Sequence, residues 1–348
     1  MRTLNIETKD KVGENVTVSG WVNTRRDHSK IVFFDLRDRT GLLQIVISPE
    51  LAGSIRVEDV VSITGTIAKR PDKLINPKLA TGTVELQAES IQVLSKSAEL
   101  PFDMGQPDLE VELPTLLDYR GLTLRHPRVA AIFKVQEVVI DSFRKFLQSQ
   151  DFMEFQSPSI IGSVPEGGAE VFNVDYFGHS AFLSQSPQLY KSLLVSAFDR
   201  VFSVNKVFRA EPSVTTRHIT EVVSLDAEMG FIENWEETMD MAENTIKFIL
   251  SEVKNRCQQE LDLFGVEVPK VTDKIPRLKL REVQQIIFDR TGRDCRSEKD
   301  LAPEDEREIC EYTAEKYGSD LVFVTHFLTA KKPFYVVEDP TDPEYAYS

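Results

Sequence analysis

The sequence predicts an α+β protein of two domains, and three observations lead there. Five β-like runs, with glycines inside them, crowd residues 14–94. Helical spacing of apolar residues takes over at 129–150. Two apolar runs, 201–204 and 222–228, then bracket a polar loop as antiparallel strands would. The chain has 348 residues, too many for one small domain, and an apolar content of 41% is enough for real cores.

Charge and cysteine usage narrow the function classes. A net charge of −15 argues against a general nucleic-acid binder. The charge is uneven: residues 1–100 hold 14 basic and 13 acidic side chains, and the remainder 27 and 43. If an RNA is bound, the first hundred residues are the platform that repels it least. Cys257, Cys295 and Cys310 are odd in number and lack zinc spacing, which points to a reducing cytoplasm. No run of eighteen apolar residues suggests a membrane span, and Met1-Arg2-Thr3-Leu4 opens no signal peptide.

The five runs are 16–22, 31–34, 42–47, 60–67 and 84–93. Arg39-Thr40-Gly41 supplies a turn, and Gly20 and Gly65 sit where a small barrel bends. Five strands in about ninety residues suggest an OB-fold barrel over 1–96, a fold that stacks single-stranded bases on aromatic side chains. The second and third strands hold Phe33, Phe34, Arg37 and Gln44, with Arg25 and Arg26 just before them. Alternation sends Phe33 and Phe34 to opposite faces, one to the core and one to a base. Gln44 can read a base edge with its amide.

Residues 97–127 mix Ser, Glu, Pro and Asp and read as a linker or hinge. The helix of 129–150 then carries Val129, Ile132, Phe133, Val135, Val138, Val139, Phe143, Phe146 and Leu147 on an apolar stripe. It feeds a strand that stops at Pro158. Pro165-Glu166-Gly167-Gly168-Ala169-Glu170 is an acidic, glycine-rich loop in which Glu170 can accept from an amino group. Ser186-Pro187-Gln188-Leu189-Tyr190-Lys191 opens a helix running to about Asp199. Lys191 in its first turn opposes the helix dipole, a position suited to pairing with a substrate carboxylate. After the strand at 201–204 come Phe208-Arg209-Ala210-Glu211 and Thr215-Thr216-Arg217-His218, whose arginines suit a polyphosphate. Further on, 235–263 reads as one long amphipathic helix, 278–291 and 303–317 as shorter ones, and 321–325 and 334–337 as core strands.

Taken in order, these segments resemble an aspartyl-tRNA synthetase of class II, archaeal type, over essentially the whole chain. Gly20-Trp21-Val22 with Phe33, Arg37 and Gln44 resembles the anticodon-binding barrel. The element at 129–158 resembles motif 1, which forms the homodimer, and Phe208 to Glu211 with Thr216-Arg217-His218 resembles motif 2. The resemblance implies a class II antiparallel-sheet catalytic domain over 128–348. It implies ATP, L-aspartate and tRNA(Asp) as substrates and Mg²⁺ as the accompanying metal. It implies that Arg209, the catalytic arginine, contacts the α-phosphate and the substrate carboxylate region. Glu211 then fixes the adenine side of ATP, and Arg217 and His218 hold the outer phosphates. Glu170, Gln188 and Lys191 receive aspartate, and Arg25, His28, Phe33, Gln44 and Pro77 face the anticodon. His28 and Pro77 resemble the relaxed form that also accepts tRNA(Asn).

Two departures from the pattern stand out. Val222 occupies the place where relatives carry an aromatic to stack on adenine. Motif 3, a glycine-rich segment with an arginine, is absent, so the Mg²⁺ ligands are expected beyond Ser348 and the 348-residue chain alone is expected to be inactive. The rivals are an asparaginyl-tRNA synthetase, disfavoured because an amide has no charge to pair with Lys191, and a non-catalytic RNA-binding relative.

Overall fold

A computed structural model of the chain describes residues 2–106, 108–164, 171–210, 219–333 and 335–348. It divides into two compact units, Met1–His126 and Pro127–Ser348.

In the first unit a short strand β1 (Arg2–Thr3) runs parallel to β2 (Asn15–His28). Next come β3 (Ile31–Asp38), β4 (Gly41–Ile47), the one-turn helix α1 (Pro49–Ala52), β5 (Val60–Lys69) and β6 (Val84–Ser95). The hydrogen-bonded order is β1-β2-β3-β4-β6-β5, and β5 pairs back onto β2, so the sheet closes into the expected barrel. Closure is possible because β2 is long. Its first half pairs with β5, Asn15 opposite Thr66, and its second half with β3, His28 opposite Ile31. The reading that ended this strand at Val22 stopped too early, since Arg25 and Arg26 interrupt the apolar pattern without interrupting the ladder.

Inward residues Val18, Val22, Phe34, Leu36, Leu43, Ile45, Val61, Ile63 and Leu86 have no solvent exposure and form the core. Burying each stabilises the barrel by about 1.5–3 kcal/mol. Gly20 and Gly65 are demanded by close approach: a Cβ would stand 2.2 Å from the Arg37 carbonyl oxygen and 2.1 Å from that of Gln87. Beyond β6 the chain forms α2 (Leu113–Asp118) and α3 (Arg120–Thr123). Glu58, buried on a φ of +69°, accepts from both Arg37 (2.8 Å) and Arg125 (2.5 Å), tying this segment to the barrel.

The second unit opens with α4 (Pro127–Ser149), followed by β7 (Met153–Glu154), β8 (Ile160–Ile161), β9 (Asn173–Tyr176), β10 (His179–Leu183) and α5 (Gln188–Phe198). The central hairpin is β11 (Arg200–Phe208) and β12 (Glu221–Met229), antiparallel over nine residue pairs. β7 adds to β11 in parallel, and the strand expected to reach Pro158 is only two residues long. Phe143 and Leu147 of α4 pack with Phe152 and Phe202 against one face of this sheet.

Then come α6 (Glu236–Arg256), α7 (Gln258–Phe264), β13 (Arg277–Lys279), α8 (Leu280–Thr291) and α9 (Pro303–Tyr317). The chain closes with β14 (Phe323–Thr325), β15 (Phe327–Leu328), β16 (Glu338–Asp339) and β17 (Asp342–Ala346). Two expectations fail here. The helix at 235–263 is two helices, broken at Cys257 (φ −121°, ψ 26°), whose side chain is buried with Val138 and Val253. Tyr335, Val336 and Val337 form no strand, and Val337 is 65% exposed. Among the described residues no helix is long and apolar enough to cross a membrane.

Candidate active site and nucleic-acid face

The site is assembled where α5 lies over the second face of the central sheet. Register puts Ser203 opposite Asp226, Asn205 opposite Ser224 and Val201 opposite Glu228. Strand alternation therefore sends Ser224, Asp226 and Glu228 to one face, while Leu225 and Met229 join the cluster around Phe202 on the other. Gln188, Lys191 and Ser192, spaced i, i+3, i+4, meet that polar face from one side of α5. Pro187 caps the helix, and Ser186 Oγ accepts from the Gln188 amide at 3.3 Å.

Lys191 is buried, and its Nζ donates to Asp226 Oδ1 at 2.9 Å. Ser224 Oγ donates to Asp226 Oδ2. Gln188 Nε2 donates to Glu228 Oε2 and to Ser192 Oγ, both at 3.2 Å, and Ser192 Oγ donates to Glu228 Oε1 at 3.1 Å. Deeper on the same face, Asn205 Nδ2 donates to Ser157 Oγ at 3.0 Å. At the open end of the hairpin the Arg209 amide donates to the Thr220 carbonyl at 3.0 Å. The Arg209 side chain is exposed there, with no ion-pair partner among the described residues. Of the sequence-predicted site, Gln188 and Lys191 come together on α5, and Arg209 stands at the end of β11. Glu170, Glu211, Arg217 and His218 lie outside the described residues.

The barrel's outward face over β2, β3 and β4 carries Phe33 and Gln44. Phe33 is half-buried and meets His28 edge-on, ring centroids 5.5 Å apart, whereas Phe34 is wholly inside. Asp35, directly opposite Gln44 in the ladder, receives Arg26 through two bonds of 2.7 and 3.0 Å. Gln44 is buried and donates to Glu85 Oε2 at 2.8 Å. Arg25 points the other way. Its guanidinium lies over the Phe34 ring and donates to the Gly53 and Ile55 carbonyls. The same guanidinium holds the Asp27 carboxyl below the usual carboxylate range. Pro77 is exposed in the loop between β5 and β6, where Asn76 Oδ1 accepts from the Lys78 amide at 3.1 Å.

The family model for "tRNA synthetases class II (D, K and N)" matches residues 112–348, and that for "OB-fold nucleic acid binding domain" matches 16–94. The chain belongs to the class II tRNA synthetases. An aspartate–tRNA(Asp/Asn) ligase of Deinococcus radiodurans is 39% identical over 96% of this chain and 75% of its own length. An aspartate–tRNA(Asp) ligase of Pyrococcus abyssi is 35% identical over 97% of this chain and 77% of its own. The crystal structure of asparaginyl-tRNA synthetase from Pyrococcus horikoshii complexed with asparaginyl-adenylate superposes with a TM-score of 0.86 at 27% identity. It covers all of this chain, which spans 79% of that one.

In this synthetase the residues that sequence reasoning missed are Asp226, Glu228, Ser192 and Ser224. The signal was present in Ser224-Leu225-Asp226-Ala227-Glu228, a period-two polar row on a strand opposite a lysine-bearing helix. Among the described residues no group of three His, Cys, Asp or Glu side chains is placed to hold a metal.

Proposed function

We propose that this synthetase condenses L-aspartate with ATP to aspartyl-adenylate and transfers the aspartyl group to tRNA(Asp), and to tRNA(Asn) as well. In the first step the aspartate α-carboxylate attacks the α-phosphorus and pyrophosphate leaves. In the second the terminal ribose hydroxyl of the tRNA takes the aspartyl group and AMP leaves. Neither step needs an acid–base triad. Both need alignment and neutralisation of charge.

The observation that carries the reading is the buried Lys191 paired with half-buried Asp226, beside the Gln188–Glu228 pair under α5. Lys191 has three donors, of which Asp226 takes one, leaving two for the substrate side-chain carboxylate. Gln188 and Glu170 receive the other end of aspartate. Arg209, exposed at the end of β11, contacts the α-phosphate. Glu211 fixes the adenine side, and Arg217 and His218 hold the outer phosphates. On the barrel, Phe33 offers a stacking face with His28 leaning on it, and Pro77 stands exposed in the loop between β5 and β6, while Gln44 is held by Glu85 and Arg25 by the Gly53 and Ile55 carbonyls. Ile132 on α4 and Ile160 on β8, 56% and 45% exposed, support a homodimer through the 129–158 element. Cys257, Cys295 and Cys310 form no disulfide among the described residues, in keeping with the cytoplasm.

The test is ATP–pyrophosphate exchange by a form that carries motif 3, driven by L-aspartate or L-asparagine, followed by charging of tRNA(Asp) transcript. Aspartate should drive exchange at least about a hundredfold better, as expected where a buried charge must be matched. The likeness to the asparaginyl enzyme of Pyrococcus horikoshii makes the amide substrate the second reading, and preferential exchange with asparagine would establish it.

A further inference from the structure

Phe33, Asp35 and Arg37 alternate along β3 and share its outward face, in that order toward the end of the strand. Phe33 meets His28, and Asp35 takes Arg26. Arg37 reaches away from the strand. It donates to Asn23 Oδ1 at 2.7 Å and to the Glu58 carboxylate at 2.8 and 3.1 Å, with its guanidinium over the Trp21 ring. The Glu58 side chain is only 2% exposed, and its Oε2 also accepts from Arg125 at 2.5 Å. One carboxylate thus joins the strand that carries Phe33 to the arginine two residues before Pro127, where the second unit begins. The residue between is pinned as well, His126 Nε2 lying 2.9 Å from the Gln106 carbonyl oxygen. Glu58 holds its place on a φ of +69°, a region that glycine takes freely and other residues rarely adopt. A strained backbone that sets a carboxylate between two arginines points to a use for that carboxylate.

We infer that Glu58 is a positioning residue for tRNA charging: shared between Arg37 and Arg125, it stiffens the point where the chain leaves the barrel, so that an RNA gripped on β3 is offered to the second unit at a higher effective concentration. The inference rests on the tRNA reading above and deepens it. A tRNA held at its anticodon and at its acceptor end is a bivalent ligand. Its second contact is intramolecular, and the strength of that contact depends on how narrowly the intervening chain confines it. A flexible exit spreads the acceptor end over a larger volume, whereas a clamped one does not. Glu58 touches neither the RNA platform at Phe33 nor any residue of the second unit, so it acts through the two arginines alone.

The experiment makes three measurements on a form that carries motif 3: aspartate-dependent ATP–pyrophosphate exchange, affinity for an RNA hairpin bearing the tRNA(Asp) anticodon, and kcat/KM for charging the tRNA(Asp) transcript. The proteins are the parent, Glu58→Gln, Arg125→Met and the double variant. Glutamine keeps the length of Glu58 and removes its charge. Glu58→Gln should lower kcat/KM for charging about tenfold, the loss of roughly one charge-assisted hydrogen bond, and leave exchange and hairpin affinity within about twofold of the parent. Arg125→Met should do the same. The double variant should be no worse than either single one, because both cut one link. Unchanged charging in Glu58→Gln overturns the inference, and so do additive losses in the double variant. Hairpin affinity that falls as far as charging also overturns it, since Glu58 would then be a support of the barrel face. A parent that neither binds the hairpin nor charges the transcript would instead defeat the tRNA reading beneath it.

Discussion

Lys191 Nζ stands 2.9 Å from Asp226 Oδ1, with only 10% and 18% of the two side chains open to solvent. The lysine that sequence reasoning assigned to a substrate carboxylate therefore has a protein carboxylate of its own. Lys191→Met should act twice. It removes the substrate's partner, lowering aspartate-dependent exchange by two or more decades in a form that carries motif 3, and it strands Asp226. Stranding a poorly solvated carboxylate costs about 1–3 kcal/mol of stability. The double substitution Lys191→Met, Asp226→Leu should be more stable than Lys191→Met alone and equally inactive. Urea unfolding of the three chains checks this. A double variant less stable than the single one would show that Asp226 is held by Ser224 and not by the lysine.

Gly65→Ala tests the barrel's closure. The new Cβ would fall 2.1 Å from the Gln87 carbonyl oxygen and 2.8 Å from the Leu86 side chain, so β5 and β6 must part. Overpacking costs typically 1–3 kcal/mol, and a clash with backbone belongs at the upper end, about 3 kcal/mol. The unfolding midpoint of the barrel should drop accordingly, while Gly178→Ala, in open space on a turn, should cost only the strain of its positive φ. Equal effects from the two would sink the close-approach argument.

These two sites also show what was legible in the sequence. The barrel could be read because inward residues alternate and its glycines mark bends. The helix carrying Lys191 could be read because Ser186-Pro187 starts it. Asp226 and Glu228 were not read as site residues, since polar residues alternating on a strand look the same facing solvent or facing a helix. Only the register with β11 and the position of α5 distinguish the two. The break at Cys257 was invisible because the segments on both sides keep helical apolar spacing. Tyr335, Val336 and Val337 read as a core strand because composition speaks for strands, yet the ladder forms at Glu338–Asp339. There Asp339 accepts from the Thr341 amide at 2.8 Å and from its hydroxyl at 2.7 Å.

Acid should loosen the packing around His326. Its ring is buried, edge-on to the stacked pair Trp235 and Tyr347, and it takes φ +59°. Burial foremost, and Lys279 next, push its pKa below the usual 6.5; Asp339, Glu282 and Glu236 pull the other way without prevailing. A histidine depressed in the folded state gives stability that is whole above the unfolded value and is lost as pH falls through the folded one. The urea midpoint should therefore decline from pH 7 toward pH 5. In His326→Asn, a residue that tolerates this backbone region, the decline should be shallower. Identical slopes in parent and variant would place the acid-sensitive group elsewhere.

The last prediction concerns which tRNA is charged. The anticodons of tRNA(Asp) and tRNA(Asn) differ in their last letter, C against U. The relatives include aspartate–tRNA(Asp/Asn) ligases and aspartate–tRNA(Asp) ligases at similar identities, so identity alone does not decide between them. The barrel offers two exposed residues for the decision. His28 leans edge-on against Phe33 at the end of β2, and Pro77 fixes a turn whose Asn76 side chain already serves the backbone at Lys78. Proline has no amide proton to give a base edge. A histidine ring leaning on a stacking platform adds surface without a fixed donor–acceptor pattern. A base edge that is well read gives about 1–3 kcal/mol of discrimination, and neither residue is built to supply it. The enzyme in a form that carries motif 3 should charge both transcripts with kcat/KM values within about tenfold of each other. His28→Gln with Pro77→Lys, which adds an amide and a cation, should widen the gap in favour of one of them. A parent that prefers tRNA(Asp) by more than about a hundredfold, roughly the 2.7 kcal/mol that one well-read base supplies, would rule out the relaxed reading.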